Sequence, residues 1–176
     1  MRFTLILPLA AALAPAVLAA PASPPGFNVH LVQEHGSHRI WRGGAPRKDT
    51  LQALAAAAKA RSVTVTLVDL RAPANKDDQS GKGGRLSPAQ EAAEAGRLGF
   101  RYLAVSALDK SLPQKLQQAA RTGDVYVHCM YGVNRTGFAV ARYAAANRLT
   151  VDREGLGKRD WQQGQAYQER LGAGGR

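Results

Sequence analysis

The sequence predicts an α/β fold, a sheet containing parallel strands with helices packed against it. Two observations carry this. Short β-branched, apolar runs, Ser62-Val-Thr-Val-Thr-Leu-Val-Asp-Leu70 and Val125-Tyr-Val-His128, alternate with stretches of helical periodicity, the pattern of strand-helix-strand units. The first run is too continuously apolar to keep a wet face, so it suits a strand covered on both sides. The chain has 176 residues, 45% hydrophobic, 21% charged and 6% aromatic, a size and composition that suit one such domain and are short for two.

Residues 1–22 stand apart from that domain. Arg2 gives a positive start, residues 5–18 form an apolar run interrupted by Pro8 and Pro15, and the small residues 19–22 offer cleavage after Ala19 or Ala22. This reads as a secretory signal peptide. The alternative, an uncleaved anchor, fits less well because the run is shorter than the roughly 20 apolar residues a span needs. No later stretch is apolar enough to span. The expected protein is exported, periplasmic in a bacterial cell, with its domain over residues 27–172.

A proline-rich connector, residues 23–26, leads into the domain. His30, His35 and His38 follow at spacings of five and three, with Gly36 between two of them and no cysteine nearby. They read as solvated or hydrogen-bonded histidines and not as a zinc site. Ile40-Trp41-Arg42-Gly43-Gly44-Ala45-Pro46 is a strand end closing in a turn. Asp49 or Thr50 then caps a helix to about Ala60, and residues 62–70 are the first central strand. Residues 71–86 form a polar loop, long for a compact domain and therefore either functional or a mobile surface segment.

Ser87-Pro88-Ala-Gln-Glu91 opens the next helix with a cap, a first-turn proline and early negative charge; Gly99 closes it. Residues 100–105 are a strand, and residues 106–112 a loop holding Asp109. A helix over 113–121 ends at Gly123, and residues 125–128 form the strand that delivers Cys129. Residues 136–146 make a helix with Phe138, Val140, Ala141 and Ala144 toward the sheet. A last helix covers about 159–171.

Cys129 is the only cysteine in the chain. Structural cysteines of exported proteins usually come in pairs, so a lone one is either a packing residue or a reactive thiol. Its neighbours favour the second. In His128-Cys-Met-Tyr-Gly-Val-Asn-Arg-Thr136 the cysteine stands at the end of a strand and before a helix, where backbone N–H groups and the helix dipole attract a dianion. The same field lowers a thiol pKa. The backbone of Met130, Tyr131, Gly132, Val133 and Asn134 would cradle a phosphoryl group. Arg135 would hold two of its oxygens with a planar fork. Thr136 can donate to the sulfur, and His128 would fix the loop from behind. The expected thiolate is exposed, nucleophilic and sensitive to oxidation.

His128-Cys129-x5-Arg135-Thr136 resembles the signature loop of the cysteine-dependent protein phosphatases, in particular their bacterial dual-specificity-like branch. Residues 42–46 and the strand ending Val68-Asp69-Leu70-Arg71 resemble that branch's opening strand-turn and second strand. The resemblance implies a protein-tyrosine phosphatase-like fold, a central four- to five-stranded, mainly parallel sheet flanked by helices. It also implies a phosphocysteine intermediate with neither metal nor cofactor, and a general acid on the loop before the signature strand. Asp109 matches that position, as the only carboxylate between Glu94 and Asp124. It lies twenty residues before Cys129, closer than is usual for the family, and Asp77 or Asp78 could substitute.

A net charge of +11 favours anionic partners. Phosphorylated proteins, through phosphotyrosine or phosphoserine/threonine, and small anionic phosphoesters are the expected substrates. Asn134-Arg135-Thr136-Gly137-Phe138 also resembles the RNA 5′-triphosphatase loop, but an exported protein has least access to nucleic acid. Inositol-phosphate phosphatases carry basic residues inside the loop, where Met130, Tyr131, Val133 and Asn134 are uncharged. The competing class is a non-catalytic phosphate-binding module.

Overall fold

The computed structural model describes residues 23–35, 38–71 and 76–149. The expected signal peptide and the expected last helix lie outside them. Within them, strands β1 (His30–His35), β2 (His38–Gly43), β3 (Thr64–Asp69), β4 (Arg101–Ala104) and β5 (Gly123–His128) form one five-stranded sheet in the order β1-β2-β5-β3-β4. β2, β5, β3 and β4 run parallel to one another. β1 folds back antiparallel on β2, so the mixed apolar and polar stretch before the expected strand end supplies a strand of its own.

The helices are α1 (Lys48–Ala60), the single turn α2 (Lys76–Gln79), α3 (Pro88–Arg97), α4 (Leu112–Thr122) and α5 (Asn134–Ala146). None is long and apolar enough to cross a membrane among the described residues. α1 begins at Lys48, with Arg47 in the cap position. Of the two expected caps, Asp49 accepts a bond from Thr50 N–H inside the first turn, at 2.7 Å, and the Thr50 hydroxyl accepts from Arg47 N–H at 3.3 Å. α3 follows its expected signals closely: the Ser87 hydroxyl accepts from Gln90 N–H, the Gln90 side chain accepts from Ser87 N–H at 3.0 Å, and Gly99 at φ +73° follows the last turn.

Period-two alternation divides the core between the two faces of the sheet. Val125, Val127, Val68 and Ile40 pack against α4 and α5 through Leu112, Leu116, Ala139, Val140 and Tyr143. Tyr126, Val65, Leu67 and Trp41 point the other way, against Leu51 and Leu54 of α1 and Ala95 of α3. Both faces of β5 are therefore covered, and every one of its six residues is buried.

Candidate active site

The register of the parallel strands decides where the site forms. Gly43 pairs with His128, His128 with Asp69, and Asp69 with Ala104. Four strand ends thus lie in one row, and the loops that follow them leave a single edge of the sheet, the carboxyl edge at which open α/β sheets bind ligands. Cys129 emerges from the middle of that row.

The loop between Cys129 and α5 is held from several directions. Gly132 adopts φ +70°, and a Cβ there would stand 2.4 Å from the Gly43 carbonyl carbon, so no other residue fits both the angle and the space. Ala45 N–H donates to Met130 O at 3.1 Å. The carbonyl of Gly132 accepts from Asn28 Nδ2 at 3.1 Å and from the guanidinium of Arg42. Arg42 has no exposed surface. Its support of the loop was not foreseen, although a charged residue inside an apolar strand end is the kind of signal that marks such a role.

Cys129 is 3% exposed, in contrast to the exposed thiolate expected. The Thr136 hydroxyl and the backbone of Tyr131 and Thr136 stand against the sulfur. Burial would push its thiol pKa up, but the Thr136 hydroxyl, the Arg135 charge and the backbone N–H groups of Thr136 and Tyr131 outweigh burial and bring it below the ordinary value. The Thr136 hydroxyl is itself buried and has no oxygen or nitrogen partner among the described residues. Its proton is therefore available to the sulfur.

Behind the loop stands a closed set of charges. His128 Nε2 meets Glu91 Oε1 at 2.7 Å. Arg71 joins Glu91 Oε2 at 2.5 Å and both oxygens of Asp69 at 2.7–3.0 Å, and it donates to Leu86 O at 2.7 Å. Tyr102 O–H donates to Asp69 at 2.7 Å. Burial opposes the charged form of His128, yet Glu91 and Asp69 overcome it and raise its pKa. Asp69 is lowered: His128 and Arg71 outweigh its burial. By sequence Glu91 is a first-turn helix charge; its partners lie in β5 and just past β3, which only the fold brings together.

In front of the loop, Arg135 donates to both carboxylate oxygens of Asp78, at 2.5 and 2.8 Å, and to Leu70 O at 3.2 Å. Asp78, on α2, is 1% exposed. This corrects the surface-loop reading of residues 71–86: α2 and Asp78 pack into the site and present a carboxylate to the fork expected to hold a phosphoryl group. A substrate that engages Arg135 must take over that fork from Asp78. The side chain of Asp77 lies outside the described residues.

Asp109 has a different environment. Its carboxylate accepts from Ser111 N–H and O–H at 2.8 and 2.7 Å and from Lys115 Nζ at 2.6 Å. The Lys115 bond, then the two Ser111 bonds, hold it well below the usual carboxylate range. Here it is an acceptor and not a proton donor. The backbone of its loop is pinned to α5, where Arg142 donates to Ala107 O and Asp109 O at 3.0 and 2.9 Å.

With this geometry in place, comparison with known proteins is decisive. The family model described as a DSP-PTPase phosphatase fused to NAD+ kinase matches residues 27–171. The chain belongs to this DSP-PTPase phosphatase family. It is a phosphoric monoester hydrolase of the protein-tyrosine/dual-specificity type. No curated protein matches the sequence. Among solved structures, the phosphatase resembles TpbA of P. aeruginosa in complex with pTyr, at TM-score 0.54 and 20% identity, over 88% of this chain and 90% of that one. A DUF442 protein from Shewanella putrefaciens CN-32 gives TM-score 0.53 and 16% identity, over 84% and 91%. Kinase associated phosphatase gives 0.50 and 7%, over 85% and 98%. At these identities the likeness is one of fold, and the five-stranded, mainly parallel sheet agrees with it.

Proposed function

We propose that this phosphatase is exported and hydrolyses phosphotyrosine and phosphoserine/threonine of proteins through a phosphocysteine at Cys129. The observation that carries the reading is the lowered thiol pKa of Cys129 inside a loop ending in Arg135 and Thr136. The Sγ thiolate attacks phosphorus, the S–P bond forms and the ester P–O bond breaks. Arg135 neutralises the equatorial oxygens as charge spreads over them. Asp109, once released from Lys115 and protonated, gives its proton to the departing oxygen. It then takes a proton from the water that cleaves the S–P bond, freeing phosphate and restoring the thiolate. Thr136 stabilises that thiolate as it leaves. That TpbA is found in complex with pTyr supports the substrate class.

The test is hydrolysis of p-nitrophenyl phosphate in the presence of a chelator. Wild-type protein should be active and Cys129→Ser inactive; turnover that requires added metal, or that survives in Cys129→Ser, overturns the mechanism. Phosphotyrosine peptide, inositol hexakisphosphate and triphosphorylated RNA, compared side by side, decide the substrate class. Export is tested by fractionating bacterial cells that make the full chain. The protein should be recovered outside the cytoplasm with a new N-terminus at Ala20 or Ser23, and retention of Met1 to Ala19 on cytoplasmic protein refutes it.

A second reading, a phosphate-binding module without turnover, draws on the ion pair of Asp109 with Lys115. It requires that wild-type protein bind phosphate and release none from any ester.

A further inference from the structure

α4 covers one face of the sheet unevenly. It packs over β5 and β2, with Leu112, Leu116 and Ala120 buried beneath it. On the β4 side of the same face a groove of about 370 Å³ stays open. Period-two alternation supplies its floor: Thr66 precedes Val68 of the core by two positions, and Arg101 precedes by two Leu103, which packs against that core. Its wall is the stripe Lys115, Gln118, Ala119 and Thr122, whose helical spacing puts all four on one side of α4. The outer side of β4 has no strand partner among the described residues.

The charges of this groove have one sign. Arg101 and Lys115 line it, and no carboxylate does. They mark its two ends. Arg101, at the start of β4, donates to Thr122 Oγ1 at 3.4 Å, a long bond to a neutral group, and has no carboxylate partner among the described residues. Lys115 lies about 10 Å along α4 from Thr122, at the carboxyl edge, where it holds Asp109. Between these ends Leu103 and Ala119 offer an apolar middle. Two basic ends, an apolar centre and a free strand edge fit an extended peptide with acidic side chains, of which about three residues span that length. A polynucleotide would also set phosphates against the apolar middle, where no cation meets them.

We infer that this groove receives an acidic stretch of the phosphorylated protein substrate, with one carboxylate on Arg101 and another on Lys115, and that Lys115 leaves Asp109 for it. This rests on the reading of Asp109 as the acid and of proteins as substrates. The groove ends at the edge of the sheet from which Cys129 emerges, so one chain can place its phosphoryl group in the cradle and lay a neighbouring segment along β4. The proposed reaction requires Asp109 to be released, and in the structure Ser111 and Lys115 hold it. A docked carboxylate competes for Lys115 Nζ charge for charge. Docking and the acid step are thereby joined through one side chain, and a substrate without an acidic stretch meets Asp109 still tied.

The experiment measures binding of an unphosphorylated, glutamate-rich peptide to the full chain by fluorescence anisotropy, with the glutamine counterpart as control. The wild type should bind the glutamate peptide alone. Arg101→Gln should weaken binding about two- to fivefold, the size of an exposed charge pair. Gln118→Glu, at an exposed position on the groove wall, should weaken it at least as much. Lys59→Gln removes the same charge from the last turn of α1, on the other face of the sheet, and should change it little. Equal weakening by Lys59→Gln and Arg101→Gln means that the field of the whole protein attracts the peptide, and overturns the groove. A dimer that Gln118→Glu splits overturns it by giving the groove to a second copy, and polyuridine that displaces the peptide better than unlabelled peptide does so by giving it to nucleic acid. Saturating peptide should raise kcat for an alkyl phosphate about twofold or more in the wild type and not in Asp109→Asn; binding without that gain overturns the link between Lys115 and Asp109. If wild-type protein hydrolyses no ester, the catalytic reading fails, while binding that Arg101→Gln weakens and Lys59→Gln does not still upholds the groove.

Discussion

Two arginines flank the loop that follows Cys129, and their settings differ in kind. Arg71, behind it, has a side chain without exposed surface and is fixed by two carboxylates and a carbonyl, all buried. Arg135, in front, is 19% exposed at the side chain and meets the carboxylate of Asp78 and the carbonyl of Leu70. The first arginine balances charges that no ligand can reach, so it holds β3, α3 and β5 in one arrangement. The second is partly exposed, and in the proposed mechanism its partner Asp78 gives way to a phosphoryl group. The same side-chain chemistry serves as scaffold or as substrate site according to whether a competing anion has access.

The comparison is broken most severely at Arg71. Arg71→Ala leaves the buried carboxylates of Asp69 and Glu91 with His128 as their remaining cation, which costs about 3–5 kcal/mol of stability, read as a fall in the urea midpoint. Arg135→Lys keeps the charge in front but loses the bidentate fork. We expect kcat/KM to fall about 10²–10³-fold with little change in that midpoint. If the two variants lose stability equally, the distinction between scaffold and substrate arginine is wrong.

Asp109→Asn sharpens the picture of the leaving group. It should slow phosphoserine or alkyl phosphates by about 10²-fold, at the lower end for acid-base catalysis, and p-nitrophenyl phosphate far less; equal slowing of both removes Asp109 as the acid. The smallest expected effect is at Asp78. Asp78→Asn weakens the competitor for the Arg135 fork and should tighten competitive inhibition by inorganic phosphate two- to tenfold. Weaker inhibition instead assigns Asp78 to the orientation of Arg135.

The rear cluster also predicts a pH dependence. His128 has a raised pKa in the folded protein, so its contribution to stability is complete below the unfolded value, about 6.5, and disappears as pH rises through the folded value. Asp69 is lowered, so its contribution is complete above about 3.9 and disappears as pH falls through its folded value. Stability from this cluster is greatest between those limits. Urea midpoints measured across pH, with His128→Asn for comparison, should show the alkaline decline only in the wild type.

Much of the fold was legible because periodicity and capping are local. The Ser87 cap with Pro88, the apolar runs of β3 and β5 and the glycine after α3 all report on their own segment. The hairpin of β1 and β2 was less visible, since only one glycine stands between the two strands in the sequence and their polar residues mask the alternation. The partners of charged residues were not legible at all. Glu91 looks like a favourable helix-start charge and Asp78 like part of a solvated loop, because nothing within a few residues of either announces an arginine 20 or 57 positions away.

By itself the sequence determined the strand-loop-helix that carries Cys129, Arg135 and Thr136, since a nucleophile, a fork and a hydroxyl at fixed offsets within one loop need no distant partner to be recognised. Only the tertiary structure decided what surrounds that loop. It set the Arg71 cluster behind and Asp78 in front, tied Asp109 to Lys115, and brought Phe27, Arg85 and Tyr131 into contact from three remote segments. The physical reason is reach: hydrogen-bonded offsets inside a turn are encoded by neighbours, whereas side chains from different strand ends meet only after sheet register has aligned Gly43, His128, Asp69 and Ala104 in one row.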